Sequence, residues 1–310
     1  MGKHWSRGRE FDMTWTMSEQ ITISAVEGNA QKLDGGAMFG NAPRALWERW
    51  ASPDEQGRIP LACRSALIEV GKTKILLETG IGAFFAPKLA ERFGVQQSDR
   101  HLLRENLAQL GVTPDAIDYV VLSHLHFDHA GGLLPPFAEI EKGNQGLLFP
   151  NATFIVGREA MERAETPHLR DRASFIGNLP AKLKATGKVV LVDSDKAPGV
   201  LEDRLSFRQS HGHTPGQMHT VFKGNQDTVF FAGDLIPGRN WVHLPITMGY
   251  DRYPEKVIDE KAELYKVAVP ERWWMFYTHD PEVKMSRVSK NEGGKFEPVE
   301  LQKSVERVPF

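Results

Sequence analysis

Three histidines and an aspartate fall within six residues, in the run Ser123-His124-Leu125-His126-Phe127-Asp128-His129. The run directly follows the apolar stretch Tyr119-Val120-Val121-Leu122, which reads as a strand. His124 and His126 are two apart, so on extended chain both point to the same side. Asp128 and His129 fall just past the strand end, where Ala130-Gly131-Gly132 turns the chain. Such a cluster can aim two side chains at one metal ion and two at a neighbouring one. Imidazole and carboxylate together suit zinc, iron, manganese or cobalt. The alternative is a chance grouping of core or surface histidines. With eleven histidines in 310 residues, that spacing at a strand end would rarely arise so.

Three further strand-like runs end in the same kind of residue. Leu205–Ser210 leads into His211-Gly212-His213-Thr214-Pro215-Gly216, Val229–Gly233 into Asp234, and Trp273–Tyr277 into Thr278-His279-Asp280. The form Ser-His-x-His occurs twice, at 123–126 and 210–213, as duplicated halves would leave it.

The elements that must position these groups follow from patterning. Residues 20–26 alternate as a strand, and 64–71 with 73–78 predict a hairpin turned at Gly71-Lys72. Helical spacing covers 85–94 and 99–111. Residues 152–157, 188–194 and 205–210 read as strands, 158–164 as a helix, and 219–234 as a hairpin turned at Gly224-Asn225. Pro254 opens a helix over 254–269, and 273–279 is the last buried strand. Strands clustered between helices favour packed sheets with helices outside, of α+β class. No Gly/Ser linker divides the chain, which predicts one domain over 17–310 with internal pseudo-symmetry. Residues 1–16 read as a loose surface arm, whose Trp5, Phe11 and Trp15 could alternatively pack on a partner.

The ordered motifs His-x-His-x-Asp-His, Gly-His-Thr-Pro-Gly, Gly-Asp and Thr-His resemble those of the metallo-β-lactamase superfamily, over about residues 20–285. The stretches 34–40, 58–71 and 243–254 are similar to its lactonase-like branch. That branch holds the quorum-quenching N-acyl-homoserine lactonases and the methyl parathion type of organophosphate hydrolase. The resemblance implies a four-layer αβ/βα sandwich of two packed mixed sheets with external helices. It also implies two divalent metal ions per chain, zinc first, with iron, manganese or cobalt as alternatives. His124, His126 and His213 would hold one ion, Asp128, His129 and His279 the other, and Asp234 would bridge them. His213 rather than His211 is the expected ligand, because Thr-Pro-Gly follows it. His219 reads as structural, and His4, His101 and His168 as solvated.

The implied chemistry is hydrolysis by a hydroxide shared between the ions, since a bridged water falls from a pKa of about 15.7 toward about 7. Asp128 is either a ligand alone or also the group that orients the hydroxide and carries its proton to the leaving oxygen. The chain departs from the family pattern in three places. Pro237 stands where homoserine lactonases carry tyrosine, leaving Tyr250 or Tyr253 as replacements. Glu78 stands for the usual aspartate before Thr79-Gly80, and Gln217 where many members have a second histidine. Met38, Phe39, Phe84, Phe85, Trp241, His243, Met248 and Tyr250 are candidate pocket residues on loops near the motifs. Each could equally pack a core or a dimer interface.

The expected substrate is therefore a small lactone or related ester, with phosphotriester or aryl ester hydrolysis as the rival. A flavin-linked di-iron protein ranks below both, since His126 is present and no extra domain remains. A binding protein on the same fold would be expected to have lost ligands. The 38 basic and 40 acidic residues leave a net charge of −2, so no global field draws the chain to nucleic acid or membrane. No apolar run reaches the length of a membrane span, residues 1–16 lack a signal-peptide core, and the single cysteine, Cys63, excludes an internal disulfide. A cytoplasmic enzyme, as monomer or homodimer, is the expectation.

Overall fold

A computed structural model describes residues 19–310; the arm expected over 1–16 lies outside the described residues. In chain order the strands are β1 (Ile21–Glu27), β2 (Gln31–Asp34), β3 (Arg58–Leu61), β4 (Arg64–Val70), β5 (Thr73–Leu77), β6 (Tyr119–Leu122), β7 (Thr153–Gly157) and β8 (Val189–Val192). They continue as β9 (Leu205–Ser210), β10 (Gln217–Lys223), β11 (Thr228–Phe231), β12 (Trp274–Phe276), β13 (Met285–Lys290), β14 (Phe296–Gln302) and β15 (Val308–Pro309). One mixed sheet has the order β15-β1-β4-β5-β6-β7-β8, the other β14-β13-β12-β11-β10-β9. β2 and β3 form a separate ribbon.

Alternation along each strand builds the layers. On β6, Val121 faces the space between the sheets, where it joins Ile68, Ile155, Phe231 and Phe276. Its neighbours Val120 and Leu122 face the other way, against Leu103, Leu107, Met161 and Leu183. Those four come from helices Leu102–Gln109, Arg158–Glu165 and Leu179–Ala185. On the second sheet, Met275 faces outward to Leu264 and Tyr265 of the helix Pro254–Ala268 and to Trp47 and Trp241. The four-layer sandwich expected from the sequence is the architecture found.

The topology brings the functional strand ends to one edge. β6 runs parallel to β5 and β7, and β12 runs parallel to β11. β9 also runs with β11, because each is antiparallel to β10. The segments after β6, β9, β11 and β12 therefore all leave the sheets at the same end, where the backbone nitrogen of Met218 donates to the carbonyl of Ser123 at 2.8 Å.

His101, expected to be solvated, is buried. It caps the helix Leu102–Gln109, its Nδ1 accepting from the Arg104 backbone nitrogen at 3.3 Å, while Nε2 lies 3.1 Å from the Gly132 carbonyl. Burial, reinforced by Arg104, pushes this imidazole down to about 4. Between pH 6.5 and 4 the unfolded chain therefore binds a proton that the fold refuses. Stability is complete above about 6.5 and falls by up to about 3 kcal/mol as the pH drops. In urea unfolding, His101→Gln should be destabilised most at pH 7.5, with the gap to the native chain narrowing toward pH 5. A gap that does not change with pH contradicts a neutral buried ring.

Candidate metal centre

At the end of β6 the chain passes His124 and His126 and enters a single helical turn, Phe127–Ala130, that carries Asp128 and His129. This turn is fixed by the segment after β5. The Thr79 backbone nitrogen and hydroxyl both donate to the His129 carbonyl, at 2.9 and 3.1 Å. Gly132 permits that approach: a Cβ there would sit 2.0 Å from the Thr79 carbonyl oxygen. His213 leaves β9 in a loop whose Gly212 nitrogen donates to Glu260 at 3.1 Å. Asp234 follows β11. The backbone around His279 is clamped by buried Arg64, whose guanidinium donates to the carbonyls of Tyr277 and Asp280 at 2.7 and 2.8 Å.

Beside Glu78, whose carboxylate lies equally close to His124 and His129, these side chains converge as two groups whose candidate ligand atoms lie within 4.8 Å of one another: His124, His126, His213 and Asp234, and Asp128, His129 and His279. Asp234 touches both. Its Oδ2 is 3.2 Å from His213 Nε2, and its Oδ1 is 3.3 Å from His129 Nε2 and 3.0 Å from His279 Nε2. All of these residues are buried except Asp128, which is partly exposed. His211 points away, its Nδ1 3.1 Å from Glu159 at the surface. His219 is buried with Nε2 2.8 Å from Ser210 Oγ.

Four of the rings are held by a second partner on the nitrogen that faces away from the cluster. His129 Nδ1 meets Glu78 Oε2 at 2.8 Å, and the other Glu78 oxygen accepts from Ser123. His213 Nδ1 meets Asp251 Oδ1 at 2.9 Å, His279 Nδ1 the Ala62 carbonyl at 2.7 Å, and His124 Nδ1 the Ser123 hydroxyl at 2.9 Å. Glu78, one methylene longer than the aspartate usual at this position, reaches His129 from a left-handed backbone (φ 60°) that costs a non-glycine residue about 1–2 kcal/mol. Asp251 could have been suspected only as an acid inside the lactonase-like stretch 243–254.

The charges set one another's titration. Burial works against protonated His129, yet Glu78, Asp234 and Asp128 outweigh it and hold the ring well above the usual histidine range. Burial likewise opposes a charged His279, and Asp234 raises it well above that range. His124 and His126 are pushed well below it, by burial first and by neighbouring imidazoles second. Burial would raise Asp234, but His129, His213 and His279 bring it well below the usual carboxylate range.

The donor set fits divalent cations. His124 Nε2 is buried with no hydrogen-bond partner. His213 Nε2 faces His126 Nδ1 at 3.2 Å, and His279 Nε2 faces His129 Nε2 at 3.2 Å. At most one nitrogen of each pair can donate to the other, whereas a cation accepts lone pairs from both.

A cavity of about 370 Å³ opens on this cluster, lined by Met38, Met248 and Tyr250 among the expected pocket residues. It is also lined by Gln31, Leu33, Leu61, Phe93, Phe127 and Arg170. Tyr253 is not in its wall. Phe39 is instead sandwiched between Trp47 and Trp241, and the Trp241 indole donates to the Met38 carbonyl at 2.8 Å. Phe84 packs at a tilt on Phe85, which stacks on Phe93 and meets Phe127 edge-on, just behind the wall. His243 lies off the cavity, its carbonyl accepting from the buried Lys261 at 3.2 Å. Cys63 is buried beside His279.

Residues 58–279, more than half of the chain, match the model of the metallo-beta-lactamase superfamily, and the chain belongs to that superfamily. It is 24% identical over 245 residues to an N-acyl homoserine lactonase of Bacillus thuringiensis, covering 76% of this chain and 87% of that one. Among solved structures it is similar to a probable metal-dependent hydrolase from Staphylococcus aureus, with a TM-score of 0.79 and 25% identity over 90% of this chain and 97% of that one. It also shares its fold with AidC, a dizinc quorum-quenching lactonase, at a TM-score of 0.70 and 19% identity over 90% and 94% of the two chains. The chain is thus a metal-dependent hydrolase by family and by site.

Removing the outer partner of a ring should weaken metal binding. Glu78→Ala and Asp251→Ala are each expected to lower divalent-metal affinity about 10–100-fold, measured by competition with a chromogenic chelator. Unchanged affinity in both variants would mean that these carboxylates do not orient the rings.

Proposed function

We propose that the chain is a dinuclear metal hydrolase that opens a lactone of the N-acyl-homoserine type or a closely related ester. The observation that carries this reading is Asp234, one carboxylate in reach of rings from both groups. His124, His126 and His213 would hold one divalent ion, Asp128, His129 and His279 the second, with Asp234 shared and zinc the first candidate. Such a pair supplies a water of lowered pKa and Lewis-acid polarisation of the scissile carbonyl.

The protein's own groups supply the rest. Asp128 is the partly exposed member of the cluster and lines the cavity, so its carboxylate takes up the proton shed when water adds to the carbonyl carbon. The same proton passes to the ring oxygen as the C–O bond breaks. Tyr250 lines the same cavity from an exposed position at its mouth, and partial desolvation, with Asp128 and Asp34 nearby, shifts its phenol upward, so it is a donor at neutral pH. It is the candidate for the role that Pro237 cannot fill. Met38, Leu33, Leu61 and Met248 give an apolar wall suited to an acyl chain.

In a pH-stat assay, acyl-homoserine lactones should release acid. His126→Ala and Asp234→Ala should abolish turnover while the chain stays folded. Tyr250→Phe should lower kcat about 100-fold, the size of effect seen when one oxyanion donor is lost. Full activity in His126→Ala or Asp234→Ala contradicts the proposal. Rapid cleavage of aryl phosphotriesters without lactone turnover would instead select the rival substrate class.

A further inference from the structure

We propose that Gln31 is a positioning residue for Asp128, a neutral strap that fixes the carboxylate of the second metal-binding group. Gln31 is fully buried in the cavity wall, and its Nε2 donates to Asp128 Oδ2 at 2.9 Å. A carboxylate only accepts, so the amide nitrogen must face it, and Oε1 is turned away. That oxygen is buried without a hydrogen-bond partner. A buried acceptor left unpaired needs an explanation. Here the explanation is the bond made by the other end of the amide.

The terminal torsion of aspartate is broad and roughly two-fold, so packing alone holds it poorly. With Gln31 in place, Oδ1 stands 3.8 Å from His129 Nε2 and Oδ2 3.7 Å from His279 Nε2. The carboxylate therefore presents itself to both rings of its group. Gln31 is itself immobilised. β2 pairs with β3 at Gln31 and Leu61, an isolated bridge joins Gln31 to Val95, and the Lys32 nitrogen donates to the Gly94 carbonyl at 2.9 Å. An arginine or lysine would bind the carboxylate more strongly, but it would set a fixed positive charge against a cation site. An amide donates without that repulsion. Gln31 also precedes residue 58, where the match to the family model begins, so this strap comes from outside the matched span.

The inference rests on the assignment of Asp128 made under the proposed function. It is tested by titrating the full chain with cobalt(II), followed by visible absorption, with His124→Ala used to assign the bands of the two groups. The native chain should take up two equivalents. Gln31→Met, similar in length but without a donor, should weaken the band of the Asp128 group about 10–100-fold and leave the other unchanged. Gln31→Asn keeps the amide on a shorter arm and should show the same selective loss, so it carries the test if the methionine variant does not fold. In turnover, kcat should fall with KM nearly constant. Equal weakening of both bands, unaltered binding, or a change in KM alone overturns the role. Fewer than two equivalents in the native chain would overturn the two-ion assignment itself.

Discussion

A buried carboxylate surrounded by imidazoles is the constraint on which this molecule is built. Asp234 is almost fully buried, and an isolated charge there would be very costly. It is tolerated because His129, His213 and His279 approach it at 3.0–3.3 Å from three different parts of the chain. Each of those rings brings its own requirement, an acceptor for the outer nitrogen, met by Glu78, Asp251 and the Ala62 carbonyl. The site is therefore a nested arrangement in which each ring that meets Asp234 is itself held by a further partner.

The sandwich is what allows such groups to meet. Two sheets packed on Val121, Ile155, Phe231 and Phe276 set the ends of β6, β9, β11 and β12 at a single edge. Segments between the strands then supply the outer partners: Glu78 after β5, Asp251 ahead of the helix Pro254–Ala268, and the Ala62 carbonyl between β3 and β4. The cavity wall is built differently. Gln31, Leu33 and Leu61 come from the β2–β3 ribbon, and Met248 and Tyr250 from the loop before the helix Pro254–Ala268. Chemistry thus rests on the sheets and shape on the peripheral segments.

What could be read from the sequence follows that division. The clustered histidines were legible because their spacing is local and each run follows an apolar strand. The strands of the β4–β5 hairpin were legible too, since Gly71 and Lys72 separate two apolar runs. β13 and β14 were not, because MSRVSK and FEPVELQ are rich in charge and β14 is an edge strand with no fully buried residue. His101 gave no local sign that a long-range contact to Gly132 would bury it. Phe39 and Trp241 each end a single short helical turn, Gly35–Phe39 and Arg239–Trp241, and an aromatic there has the same local sequence whether it lines a cavity or stacks behind one. Gln31 and Asp251 act across 97 and 38 residues, distances at which sequence spacing carries no information.

The claim that these groups form a two-cation centre is tested most directly by elemental analysis of the chain isolated without chelator, combined with anomalous diffraction at the absorption edge of the element found. The account predicts about two ions per chain, one among His124, His126 and His213 and one among Asp128, His129 and His279, with Asp234 between them. A chain that takes up no divalent metal, or holds it away from Asp234, would contradict it.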